Sequence, residues 1–84
     1  MKNKILIQLI IPDIDEHFDL FIPINKRIGN IIILLNKSVS ELTNGAYVGS
    51  NTNSLYNKIT GEKYGVNDLV RNTNIRHGTS LVLM

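Results

Sequence analysis

The sequence contains no cysteine, and this single absence removes disulfides, thiolate catalysis, iron–sulfur clusters and thiolate zinc sites together. A chain of 84 residues without such staples must rely on its apolar core, which fits a reducing compartment. Charge is also scarce, at 19% of residues against 43% hydrophobic, so the chain is globular rather than disordered. Lysine and arginine number 9 against 7 aspartates and glutamates, a formal net charge of +2. There is no basic run of the kind a phosphate backbone needs, so nucleic acid is not expected as a partner.

Long hydrophobic runs are missing as well. Ile5 to Ile11 follows the lysines of Met1-Lys-Asn-Lys4 and faintly resembles a signal peptide. Gln8 interrupts it, Pro12-Asp13 ends it, and no small-residue cleavage site follows. It is far too short to span a bilayer, so a buried first strand is expected and no membrane insertion. Gly61 and Gly78 stand singly and make no phosphate-cradling loop. His17 and His77 have no third ligand spaced to join them, and no serine has an evident base. Asp13, Asp15 and Glu16 cluster as metal-binding carboxylates can. Without the glycine and closing glutamate of a calcium loop, they are expected to form a solvated hairpin turn. No catalytic residue, metal site or cofactor is expected, and the chain is not expected to be an enzyme. Both histidines are expected to be solvent-facing turn residues; if either reported pH, it would be His77.

What is present is a clear order of elements. Ile5, Ile7, Leu9 and Ile11 share one face of a first strand, with Leu6, Gln8 and Ile10 on the other. After the Pro12–Glu16 turn, His17 to Ile24 alternates, with Phe18, Leu20, Ile22 and Ile24 inward and His17, Asp19 and Phe21 outward. Asn25 offers an N-cap to a helix whose stripe is Ile28, Ile31, Ile32, Leu35, Val39 and Leu42. The run Ile31-Ile32-Ile33 is poor for helix propensity, but the stripe continuing through Val39 and Leu42 decides for helix. Leu34 falls on its flank, Ile33 nearly opposite its centre, and Asn44-Gly45 supplies the stop. A polar loop over 49–54, long enough to be mobile, leads to a third strand at Leu55–Ile59. Thr60-Gly61 turns into a short fourth strand at Glu62–Tyr64, and Asn67-Asp68 caps a brief turn carrying Leu69 and Val70. The last strand points Leu81 and Leu83 inward. The expectation is one domain over 1–84, ordered β-β-α-β-β-β, without repeat or linker.

Leu55-Tyr56, the Gly61 hairpin, Asn67-Asp68, Ile75 and Gly78-Thr79-Ser-Leu81-Val-Leu83 follow the ubiquitin template in order and spacing. So do the first hairpin and the Ile28/Ile31/Leu35 helix face, and the resemblance covers nearly the whole chain. It implies an α+β ubiquitin-like β-grasp: a mixed sheet of four to five strands with one helix packed across it. Ubiquitin acts through a flexible Gly-Gly tail, whereas this sequence ends at Met84 within a strand, so conjugation is not expected. The size and the Asn-Asp…Ile…Gly…Leu-x-Leu ending most resemble the YukD/EsaB family, small ubiquitin-like proteins encoded with Gram-positive type VII secretion systems. The 45–54 loop is long beside that pattern. The resemblance implies a cytoplasmic accessory or regulatory protein, recruited to the inner face of the membrane. Its implied partner is the cytoplasmic part of a secretion-system membrane protein or ATPase.

In β-grasp order, the second, first, fifth and third strands lie side by side. The sheet face away from the helix would then carry Phe21, Leu6 with Ile10, Val82 with Met84, and Tyr56 as one apolar patch. Such patches mark interaction sites more often than they occur by chance on a small polar surface. With Ile33 on the helix, these seven residues are the candidate protein-binding surface. Two alternatives stand beside this reading: a ubiquitin-like carrier working with an activating enzyme, and a structural subunit that self-assembles into homo-oligomers through the patch.

Overall fold

The structure is a computed structural model that describes residues 3–84; the Met1-Lys2 start of the signal-like segment lies outside the described residues. Strand β1 (Lys4–Ile11) turns through a single 3-10 turn, Pro12–Ile14, into β2 (Glu16–Pro23). Asp15 closes that turn in the left-handed region, at φ 52°, with its N–H donating to the Pro12 carbonyl. Helix α1 (Ile28–Leu42) follows, then β3 (Leu55–Asn57), a second 3-10 turn at Val70–Asn72, and β4 (Ser80–Leu83). The strands lie in the order β2-β1-β4-β3, with β1 and β4 parallel and both outer pairs antiparallel.

Alternation decides the layers. Ile7, Leu9 and Ile11 of β1, Ile22 of β2, Leu55 of β3 and Leu81 and Leu83 of β4 face α1 and are buried. The helix contributes Ile28, Ile31, Ile32, Leu35 and Val39, and Tyr47, Tyr64, Val70 and Ile75 close the same core from the connecting segments.

Several local expectations are corrected. Leu42 is 56% exposed rather than part of the buried stripe, because Tyr47 folds back after Gly45 and joins the core in its place. Asn25 does not cap the helix; Arg27 is the N-cap residue and makes no side-chain cap. The orphan amides are served from elsewhere: Ile28 N–H donates to the Asp68 carbonyl and Gly29 N–H to the Val66 carbonyl, both at 2.9 Å. Strand β3 stops at Asn57 rather than Ile59, because the Asn57 carboxamide oxygen accepts from the N–H groups of Ile59 (2.8 Å) and Thr60 (3.1 Å) and turns the chain. The expected strand at Glu62–Tyr64 is reduced to one bridge between Tyr56 and Lys63. Asn67 and Asp68 do not cap the turn that follows, whose N-cap residue is Leu69.

The loop between α1 and β3 is hydrogen-bonded back to the helix. The Tyr47 hydroxyl donates to Asn36 Oδ1 (2.9 Å), and Asn53 Nδ2 donates to both that oxygen (3.1 Å) and the hydroxyl (2.7 Å). Asn36 Nδ2 donates in turn to the Ser50 carbonyl at 3.3 Å. Gly49 lies so close over the helix that a Cβ there would collide with the Asn36 side chain.

Candidate protein-binding surface

Backbone pairing fixes which side chains meet on the sheet face away from α1. Ile10 of β1 is paired with Val82 of β4, and Val82 with Tyr56 of β3. Directly paired residues hold their Cβ atoms about 4.5–5.5 Å apart, so these three form a continuous row. Met84, two residues beyond Val82, is 52% exposed, and its backbone exchanges hydrogen bonds with Ser54 at 2.8 and 3.1 Å. Lys63 stands beside Tyr56 through their bridge and sets a positive charge at the rim. The result is an apolar cluster of four side chains at one corner of the sheet.

Leu6 and Phe21 form a second pair further along β1 and β2, with Phe21 50% exposed. They do not merge with the first cluster. Gln8 is paired with Asp19 on one side and Ser80 on the other, and the Ser80 hydroxyl donates to Gln8 Oε1 at 3.1 Å. This polar row runs across the face between the two apolar groups. Ile33, at 68% exposed, lies on the solvent side of α1 and so on the far side of both helix and sheet. The seven candidate residues therefore occupy three places: Ile10, Tyr56, Val82 and Met84 together; Leu6 with Phe21; and Ile33 alone.

The dividing row was visible in the alternation of β1, which places Gln8 between Leu6 and Ile10. What the sequence did not signal is the bond from Leu6 N–H to His77 Nδ1, at 3.1 Å. Ahead of Ser80, the first paired residue of β4, an imidazole nitrogen takes the role of a neighbouring-strand carbonyl for β1. The bond needs that nitrogen unprotonated. His17 is exposed and paired with Ile10 across the strands. Among the described residues, no group of three or more His, Asp or Glu side chains is placed to hold a metal ion. No helix among them is long and apolar enough to cross a membrane.

The chain is similar to the ubiquitin of Caldiarchaeum subterraneum at TM-score 0.67 and 15% identity, over 95% of this chain and 90% of that one. The fold is the ubiquitin-like β-grasp. A protein from a structure of molecular mimicry of SUMO in DNA repair superposes at TM-score 0.70 with 20% identity, over 98% of this chain and 91% of that one. A chain of an ESX-5 inner membrane complex superposes at TM-score 0.71 with 10% identity; the match spans 98% of this chain but 21% of that one. At such identities the likeness is one of fold, and fold alone does not carry function. No protein-family model matches the sequence, and no curated protein matches it significantly.

Proposed function

We propose that this ubiquitin-like protein acts by protein–protein binding, as an accessory or regulatory component of a Gram-positive type VII secretion system. The observation that carries the binding role is the row Ile10–Val82–Tyr56 with Met84 beside it: aliphatic groups and an aromatic ring gathered from three strands on the face that the core does not use. Apolar surface left in water forgoes about 25 cal/mol per Å² of burial, which a partner recovers. Tyr56 suits the anchor of such a contact, giving broad apolar area and a hydroxyl at the rim. The YukD/EsaB resemblance supplies the secretion context; a chain of an ESX-5 inner membrane complex also contains a domain of this fold. The partner in this reading is the cytoplasmic part of a secretion-system membrane protein or ATPase, met at the inner face of the membrane. No step of chemistry is assigned to the protein.

The test is secretion by a host carrying Tyr56→Ala or Val82→Asp in place of the natural residue. Both positions are outside the core, so the folded state should survive with a melting temperature within a few degrees of the parent. About 1 kcal/mol corresponds to roughly 4–8 °C in a domain of this size. Export of type VII substrates should fall sharply in both strains. Normal export from two folded variants would remove the mechanism.

A further inference from the structure

A small cleft opens at the other end of β1, on the opposite face of the sheet from Ile10. It has a volume of about 210 Å³ and is lined by Ile5, Ile24, Ile75, Arg71 and Arg76. Five residues of strand separate Ile5 from Ile10, about 17 Å at 3.3 Å per residue, so this site is distinct from the Tyr56 cluster. Its floor is made of aliphatic side chains already anchored in the core: Ile75 is buried, and Ile5 and Ile24 pack against the core cluster. Two arginines stand at its mouth. Arg76 is held in place, one guanidinium nitrogen donating to the carbonyls of Thr73 (2.6 Å) and Ile75 (2.8 Å). The Arg71 backbone N–H is fixed to the Ile24 carbonyl at 2.9 Å. Arg71 is exposed and lines the cleft, and a guanidinium carries five N–H donors and no acceptor.

Size and charge together narrow the occupant. Pockets for whole small-molecule ligands hold roughly 300–1,000 Å³, and this one, at about 210 Å³, is smaller but has room for an aliphatic side chain. Guanidinium groups pair with carboxylates through two parallel hydrogen bonds, which gives them geometric as well as electrostatic selectivity. We propose that the cleft is a second docking site, which takes an aliphatic side chain of an extended acidic peptide segment while Arg71 and Arg76 pair with its flanking aspartate or glutamate. The site is independent of the Tyr56 face and of the secretion reading.

The probe is a fluorescein-labelled peptide of about twelve residues with a central leucine flanked by aspartates, titrated against the full chain by fluorescence anisotropy. Saturable binding is expected, weakening as salt is raised. Arg71→Glu should weaken it by about tenfold or more. Arg71 is exposed, so this variant should melt like the parent. The same peptide with lysines for aspartates should fail to bind, and Tyr56→Ala should leave the affinity of the acidic peptide unchanged. Absence of saturable binding, equal binding of the basic peptide, or an affinity indifferent to Arg71→Glu would each overturn the proposal. A loss caused by Tyr56→Ala would overturn it too, by locating the peptide on the other face.

Discussion

Single side chains decide how this small domain holds together. Leu81 and Leu83 alternate with Ser80 and Val82 on β4, and both are fully buried. Deleting buried methyl groups loses both transfer energy and packing, so Leu81→Ala or Leu83→Ala should cost about 2–5 kcal/mol each by chemical denaturation. Val82→Ala, one position away on the outer face, should cost far less. Tyr47 adds a pH dependence of known sign. Burial, first, pushes its phenol above the ordinary value of 10.0, and the charge of Asp13 adds to this, while the hydrogen bond from Asn53 works against it. A raised value in the folded state favours the neutral phenol there. Its contribution is therefore complete below pH 10 and is lost as pH rises through the raised folded value. Tyr47→Phe should lower stability at neutral pH by about 1 kcal/mol through its lost hydrogen bonds, yet flatten the decline above pH 10. A decline of the same steepness in the variant would assign the alkaline loss to other groups.

At the scale of elements, the parts legible in the sequence are those where periodicity and burial agree. Both long strands, the helix and the final strand were placed within a residue or two, and the strand order is the one the ubiquitin resemblance implied. The parts that were not legible depend on long-range partners. Asn25 has the composition of a cap, but the α1 amides find the carbonyls of Val66 and Asp68, about forty residues away along the chain, and local sequence carries no mark of that. Lys63 has a strand-like neighbourhood, but Asn57 turns β3 away before a ladder can form. Composition marks the 49–54 stretch only as a polar loop; the bonds of Ser50 and Asn53 to Asn36 and Tyr47 join residues that no local pattern links. A testable consequence rests on Gly49, where any Cβ would displace the Asn36 side chain. Gly49→Ala should speed amide hydrogen exchange across residues 50–53 while leaving the β1 and β4 amides protected. Unchanged exchange in the loop would mean that the Asn36 network does not hold it.

For the whole molecule, the surface was partly legible. Alternation named every outward-facing apolar residue on the sheet, and the register then showed that they do not form one patch, because Gln8 and Ser80 bond across the middle. Ile33 belongs to another side altogether. This division sharpens the binding proposal, since a partner seated on the Ile10–Val82–Tyr56 row need touch neither Phe21 nor Ile33. The most direct measurement is affinity capture from solubilised membranes of the native host, using tagged parent, Val82→Asp and Ile33→Asp proteins, with bound proteins identified by mass spectrometry. The parent and Ile33→Asp should retain the same secretion-system membrane protein or ATPase, and Val82→Asp should lose it while remaining folded. Retention of that partner by folded Val82→Asp, or capture of no secretion component by the parent, would contradict a binding role for this face.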